Sequence, residues 1–269
     1  MRWKKLWKWF KITLVIYILA GIGLYFFQDA LLFHPVTLKR EEPYNFPQPH
    51  TEINIPINAE SNLNIIRFLS RDSINKGVVL YFHGNRKNIS WYAKYSPYFT
   101  KHDYEVWLID YPGFGKSTGK FNEQTLYDWA LQLYKLAEGR FPDSNIIIYG
   151  KSMGTGIAAQ LASVKDCRRL ILETPFYDFP SVIQHYLPIY PVRRMLHYEI
   201  PTYHYLQNVK APVTIFQGTD DAVITYSNAE RLKPFLKNGD EFVTIKKGSH
   251  NDLFTFKETI RKLDSLLTY

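Results

Sequence analysis

The chain has 269 residues, 46% hydrophobic and 22% charged, the composition of a folded domain with a sizeable core and not of a disordered or repetitive polypeptide. A single cysteine, Cys167, excludes an internal disulfide and any zinc or iron–sulfur centre built on several cysteines. The net charge of +8 does not point to nucleic acid: Arg2, Lys4, Lys5, Lys8 and Lys11 crowd one end, and no zinc-finger, RNA-binding or helix-turn-helix pattern accompanies the rest.

Residues 12–27 carry no charge. As a helix these positions span about 24 Å, short of the roughly 30 Å of bilayer hydrocarbon, and counting back to Trp9 lengthens the run with Lys11 able to snorkel. Trp7, Trp9 and Phe10 at one end and Tyr25, Phe26 and Phe27 at the other resemble the aromatic belts of a membrane span. The expectation is a basic cytoplasmic tail at 1–11 and an uncleaved single-pass anchor at 12–33. Cations before the apolar run and none directly after it put the rest of the chain outside the cytoplasm, at the cell membrane. A buried core helix fits the flanking cations poorly. A cleaved signal peptide lacks a clear small-x-small site after the apolar run.

A proline-rich connector covers 34–49, and one domain is expected over 50–269. Residues 50–57 and 62–69 read as a strand hairpin. Short continuous apolar runs at 77–82, 104–109, 145–149, 169–172, 212–216 and 241–245 read as strands buried on both faces, as in a parallel sheet. Between them, 122–138 carries a helical stripe with Asn122 as cap, and 153–164, 226–237 and 252–267 also read as helices. The fold class is therefore α/β, with about eight strands, mostly parallel, flanked by helices. Residues 174–209, with six Tyr and five Pro, break the rhythm. They are expected to form a mostly helical cap over the carboxyl edge of the sheet.

Five segments carry chemistry. His83-Gly84-Asn85 closes an apolar strand; His83 is a base by composition alone, but its place at a strand end suits loop shaping. Asp110-Tyr111-Pro112-Gly113-Phe114-Gly115-Lys116-Ser117 contains G-x-G-K-S, yet a phosphate loop needs glycine where Asp110 stands, so a rigid turn beneath the pocket is expected. Gly150-Lys151-Ser152-Met153-Gly154 is G-x-S-x-G between a strand and an Ala-rich helix. That turn lifts a serine above the sheet edge and aims helix N–H groups at developing negative charge. The N–H of Met153 and that of Asn85 are the candidate oxyanion donors. Asp220 and Asp221 follow the late strand ending at Gln217-Gly218, and either acid is placed to reach a histidine. His250 follows the final strand and completes the chain order Ser, Asp, His.

YFHGNRKN, DYPGFGKSTG, YGKSMGTG, LETPF, QGTDDAVI and GSHND together, with the N-terminal anchor, resemble the α/β-hydrolase superfamily. The resemblance is to its small membrane-anchored branch, similar to Bem46 and to the serine aminopeptidase S33-like hydrolases. It implies an α/β-hydrolase fold with Ser152 as nucleophile, Asp221 as acid and His250 as base, and neither metal nor organic cofactor. Gln217 departs from the pattern, since relatives often carry histidine there.

The expected activity is serine hydrolysis of carboxylic esters or thioesters through an acyl-enzyme, acting on a small-molecule acyl substrate, lipid included, with no nucleic-acid partner. Phe176, Tyr177, Phe179, Tyr186, Leu187, Tyr190, Leu196 and Tyr198 offer an apolar wall. Two alternatives stand beside it. A peptidase or amidase of the aminopeptidase type would need an acid for the substrate ammonium, with Glu173 and Glu199 the nominees. A membrane-anchored binding protein on a hydrolase fold would use the site without turnover.

Overall fold

The computed structural model describes residues 2–70 and 75–268. Among these, eight strands form one sheet: β1 (His50–Pro56), β2 (Asn62–Phe68), β3 (Gly77–Phe82), β4 (Tyr104–Ile109), β5 (Ile146–Lys151), β6 (Arg169–Glu173), β7 (Val213–Gly218) and β8 (Glu241–Ile245). Their order across the sheet is β8-β7-β6-β5-β3-β4-β2-β1. The hairpin β1/β2 is antiparallel, β2 runs antiparallel to β4, and every other pairing is parallel.

The apolar runs become strands because both faces of the sheet are covered. In β3, Val78, Leu80 and Phe82 join one core, with α3 (Glu123–Glu138) and α4 (Met153–Val164). Val79 and Tyr81 join the other, with the C-terminal helix. Side chains that alternate between two apolar layers leave no polar register, so the run reads as continuously hydrophobic. Asn122 caps α3 by accepting from the Thr125 N–H at 2.9 Å, as its position promised.

Two expected helices are interrupted. Residues 226–237 divide into Tyr226–Glu230 and a 3₁₀ turn at Lys233–Phe235, because Pro234 has no N–H to continue an α-helix. Residues 252–267 divide into a 3₁₀ turn, Leu253–Thr255, and an α-helix, Lys257–Thr268, with extended backbone at Phe256. Asp252 tightens that turn, its carbonyl accepting from both the N–H and the hydroxyl of Thr255.

The insertion at 174–209 is less helical than expected. It holds α5 (Phe179–Tyr186), α6 (Val192–Met195) and α7 (Thr202–Leu206), joined by turns. Prolines punctuate it: α5 stops two residues before Pro188, and α6 and α7 follow Pro191 and Pro201 directly. The insertion packs on α4 where a glycine admits it. A Cβ on Gly156 would lie 2.1 Å from Ile200 Cγ2.

The N-terminal helix, α1, runs over Arg2–Phe26, so the basic residues are helical too. It buries no residue and is long and apolar enough to cross a membrane by length and composition. The stretch read as one anchor, 12–33, divides at Phe27. A separate short helix, α2 (Gln28–Leu32), follows and is stitched to the insertion. The Gln28 amide donates to Met195 O at 3.2 Å and accepts from the His197 N–H at 2.8 Å, and Tyr198 Oη donates to Asp29 at 2.8 Å. Higher up α1, Tyr17 stacks on Tyr190 at 4.6 Å and donates to Ile189 O at 2.9 Å.

The connector 34–49 is irregular but tied down. His34 and Pro35 pair in parallel with Arg86 and Lys87, and Asn85 Nδ2 donates to Leu32 O at 2.7 Å. Tyr44 is buried and donates to Asp110 and Asn64.

The packing at Gly156 sets a test. Gly156→Ala is expected to cost about 1–3 kcal/mol by overpacking, read as a lowered thermal midpoint. In the double variant with Ile200→Ala the loss should fall short of the sum of the two single losses by roughly 1 kcal/mol or more, since the clashing methyl is gone. Simple additivity would show that the helix gives way elsewhere.

Candidate active site

Ser152 stands between the end of β5 and the start of α4, with φ 52° and ψ −122°. A non-glycine residue avoids that region, and it persists only where its surroundings over-determine it. They do so here by close approach. A Cβ on Gly154 would lie 2.1 Å from the Phe82 carbonyl oxygen, and one on Gly150 would lie 2.5 Å from the Gly154 carbonyl oxygen. The flanking glycines thus let strand, helix and the neighbouring strand β3 meet around the serine. The Ser152 N–H donates to Glu173 O at 2.9 Å, and Thr155 Oγ1 donates to Ser152 O at 2.6 Å.

The loop after β8 brings His250 to this turn. His250 Nε2 is 3.0 Å from Ser152 Oγ, and Nδ1 is 2.8 Å from Asp221 Oδ2. Asp221 is buried, and its other oxygen accepts the N–H groups of Val223 and Ile224, each at 2.8 Å. Gln217 Nε2 approaches the same carboxylate at 3.3 Å and donates to Ile224 O at 3.0 Å. The adjacent Asp220 is exposed and accepts only from the Thr219 hydroxyl among the described side chains. Burial and direction differ between the two acids: Asp221 faces His250 and Asp220 faces water.

Asn85 and Met153 both line the cleft around Ser152. Among the described residues neither backbone N–H has an acceptor inside the protein, which leaves both free for a ligand. His83, weighed as a base, is fully buried away from the cleft. Its Nε2 faces Asp110 at 3.4 Å and its ring packs on Tyr92 and Tyr111. The Asp110–Ser117 turn does not line the cleft. Lys116 pairs with Glu52 at 2.9 Å and Gly115 pairs with the connector, so this turn clamps chain segments together.

One cluster went unread in the sequence. Lys151, the x of the motif before Ser152, is buried 2% exposed and forms an ion pair with Glu173, itself 1% exposed. Tyr149 donates a second hydrogen bond to Glu173, and burial raises its hydroxyl well above the phenol range, keeping it a neutral donor. Lys151 Nζ also donates to His250 O at 3.1 Å. The signal was a lysine inside an otherwise apolar strand end, opposite an acid at the end of β6, with the register pairing Lys151 and Glu173. Glu173, nominated above as an ammonium acceptor, is thus paired beneath the serine and does not line the cleft. Glu199 is exposed on the insertion and lines no part of the cleft.

The cleft encloses about 640 Å³. Phe176, Phe179, Tyr186 and Leu187 of the insertion line it, which bears out half of the expected apolar wall. Tyr177 and Tyr198 face elsewhere, the first stacking on Tyr203 and the second meeting Phe33 edge to face. Leu24, Leu31 and Leu32 supply a wall that sequence reading missed.

A protein-family model described as serine aminopeptidase, S33, matches residues 73–203, a span that includes Ser152 and ends before Asp221 and His250. The chain is 27% identical over 197 residues to alpha/beta hydrolase domain-containing protein 17C of Mus musculus, covering 71% of this chain and 59% of that protein. The human protein of that name matches equally over 58% of its length, so the chain spans about three-fifths of the curated relatives it matches. Among solved structures, an esterase of Pyrococcus furiosus superposes with a TM-score of 0.68 at 17% identity, over 88% of this chain and 97% of that one. A structure described as a predicted CIB-like hydrolase from Thermoplasma acidophilum does so with a TM-score of 0.60 at 17% identity, over 82% and 99%.

The buried ion pair sets the test here. Lys151→Met leaves the Glu173 carboxylate without its cation, and a loss of about 3–5 kcal/mol is expected on denaturant unfolding. Lys151→Met with Glu173→Gln should recover much of that loss. If the single variant is as stable as wild type, the pair is not an isolated buried charge pair.

Proposed function

This chain is an α/β-hydrolase, and on that footing we propose that it is a serine hydrolase cleaving carboxylic esters or thioesters through an acyl-enzyme. The hydrogen-bonded line Asp221–His250–Ser152, with bonds of 2.8 Å and 3.0 Å, carries this reading. In the first step Ser152 Oγ attacks the substrate carbonyl while His250 Nε2 takes its proton. Asp221 accepts the Nδ1 proton's hydrogen bond, fixing the tautomer and stabilising the imidazolium. The N–H groups of Asn85 and Met153 receive the oxyanion. His250 then protonates the departing alkoxide or thiolate. In the second step it draws a proton from water, whose oxygen attacks the acyl carbon, and returns that proton to Ser152 Oγ as the acid leaves. The route draws on no metal or organic cofactor.

Ester chemistry is favoured over aminopeptidase chemistry by the charge of the cleft. Its lining includes the exposed cations Arg86 and Lys87 and, among the described residues, no carboxylate. An α-ammonium group finds no partner in such a wall. A binding protein without turnover would not need a buried acid aligned on a histidine that reaches a serine.

We further propose that α1 anchors the chain in the cell membrane with its basic end in the cytoplasm and the sheet domain outside. At 1.5 Å per residue the 25-residue helix is about 37 Å long, enough for a bilayer core of roughly 30 Å. External protease on intact spheroplasts should then remove the catalytic domain, and its protection beside exposed controls would reverse the orientation.

Ser152→Ala should abolish labelling by a fluorophosphonate probe while the fold persists. Asp221→Asn should lower turnover about 10³–10⁴-fold, and Asp220→Asn far less. The opposite ranking of the two acids would overturn the assignment, and an unreactive wild type would leave the binding-protein reading.

A further inference from the structure

Beside the Ser152 cleft lies a second, almost wholly apolar groove between the N-terminal helices and the insertion. The two are not separate. Leu24, Leu31, Leu32, Ile183 and Leu187 line both. Leu24 belongs to the apolar helix α1, so the same helix wets one side with lipid, on the anchoring proposed above, and walls the serine's cleft with the other. The polar group in the groove is spent. Gln28 donates to Tyr25 O at 2.7 Å and to Met195 O at 3.2 Å and accepts from His197, which leaves an apolar surface with no unanswered amide.

The insertion itself reaches along the helix. Tyr190 stacks on Tyr17 and its hydroxyl donates to Tyr17 O at 3.1 Å, nine positions before Phe26 and well inside the apolar run. Ile189 beside it is 70% exposed. A bilayer surrounding α1 therefore meets the insertion at the mouth of the groove.

We propose that this groove binds the acyl chain of a membrane-resident lipid ester or thioester, which enters from the bilayer between α1 and the insertion and brings its carbonyl to Ser152. The assignment rests on the serine-hydrolase and anchor readings for its chemistry and direction, and it adds to them a substrate class and a route. An acyl chain is the one occupant that answers an apolar channel open to lipid at one end and to a nucleophile at the other. Each methylene it buries strengthens binding roughly fourfold until the groove is full.

The test uses the full-length chain in phosphatidylcholine vesicles. Alkyl fluorophosphonates from ethyl to hexadecyl should inactivate it faster as the chain lengthens, by at least tenfold from ethyl to decyl. Ile183→Trp, which fills the shared wall, should flatten that series. Met195→Trp, at the groove's outer side, reads the same effect if the first variant fails to fold. A flat series in reactive wild type overturns the groove and leaves the hydrolase reading standing. A second measurement does not depend on turnover. In Ser152→Ala, a hexadecyl ether bearing a terminal diazirine should give photoadducts on Ile183, Leu187 and Leu31. Adducts confined to the outward positions of α1, such as Val15 and Leu19, would overturn the proposal. If no fluorophosphonate reacts yet Ile183 and Leu187 are modified, the groove stands and the serine chemistry falls.

Discussion

Ser152 occupies a backbone state, φ 52° and ψ −122°, that its own side chain disfavours, and much of the molecule is arranged to hold it there. The sheet supplies the rigid edge. β5 lies between β3 and β6 in the middle of eight strands, with apolar cover on both faces, so its end cannot drift. The helix α4 can start at once only because Gly154 lets its first turn touch the Phe82 carbonyl. Remove that contact and the serine would relax into an ordinary strand or helix conformation with its hydroxyl off the edge. A strained turn of this kind is stable only where the elements on both sides are themselves over-determined by packing.

Beneath that turn lies a polar layer that is costly by itself and coherent as a set. The carboxylate of Glu173 is surrounded by Lys151, Tyr149 and the end of β6, and Lys151 reaches on to the carbonyl of His250. One ammonium group, carried at the end of the strand that precedes the serine, thus reaches both the end of β6 and the loop that carries the histidine. On the other side Gln217 and two backbone N–H groups hold the Asp221 carboxylate toward His250. The distance between histidine and serine is therefore determined by two buried polar frames, one on each side of the imidazole. In each frame the carboxylate accepts several hydrogen bonds, which is what makes burial of its charge tolerable in a low-dielectric interior.

The strands were legible because burial on both faces writes itself as unbroken apolar runs, and the turn at Ser152 because glycine is required on both sides of it. Asp221 was not separable from Asp220 by composition, since what divides them is direction: Asp221 turns inward to meet two N–H groups, and Asp220 turns to solvent. Lys151 read as a neutral letter within a motif, and only strand register shows that it meets Glu173. The dense apolar residues of the insertion suggest more helix than it contains. Its prolines divide it into short turns that a periodicity count does not see. The role of Leu24, Leu31 and Leu32 was hidden for a different reason. A run apolar on every side announces a bilayer, and nothing in it marks the few residues that face protein instead.

The contacts between residues 32–35 and 85–87 join helix and active site more closely than a tether would. Leu32 O accepts from the Asn85 side chain, and His34 and Pro35 add a strand beside Arg86 and Lys87. A soluble fragment begun at residue 34, the natural choice for crystallisation or screening, would keep Ser152, Asp221 and His250 but lose three leucines from the cleft wall and a brace from the loop at Asn85. Inhibitors selected on that fragment would be fitted to a pocket that the full-length chain does not possess.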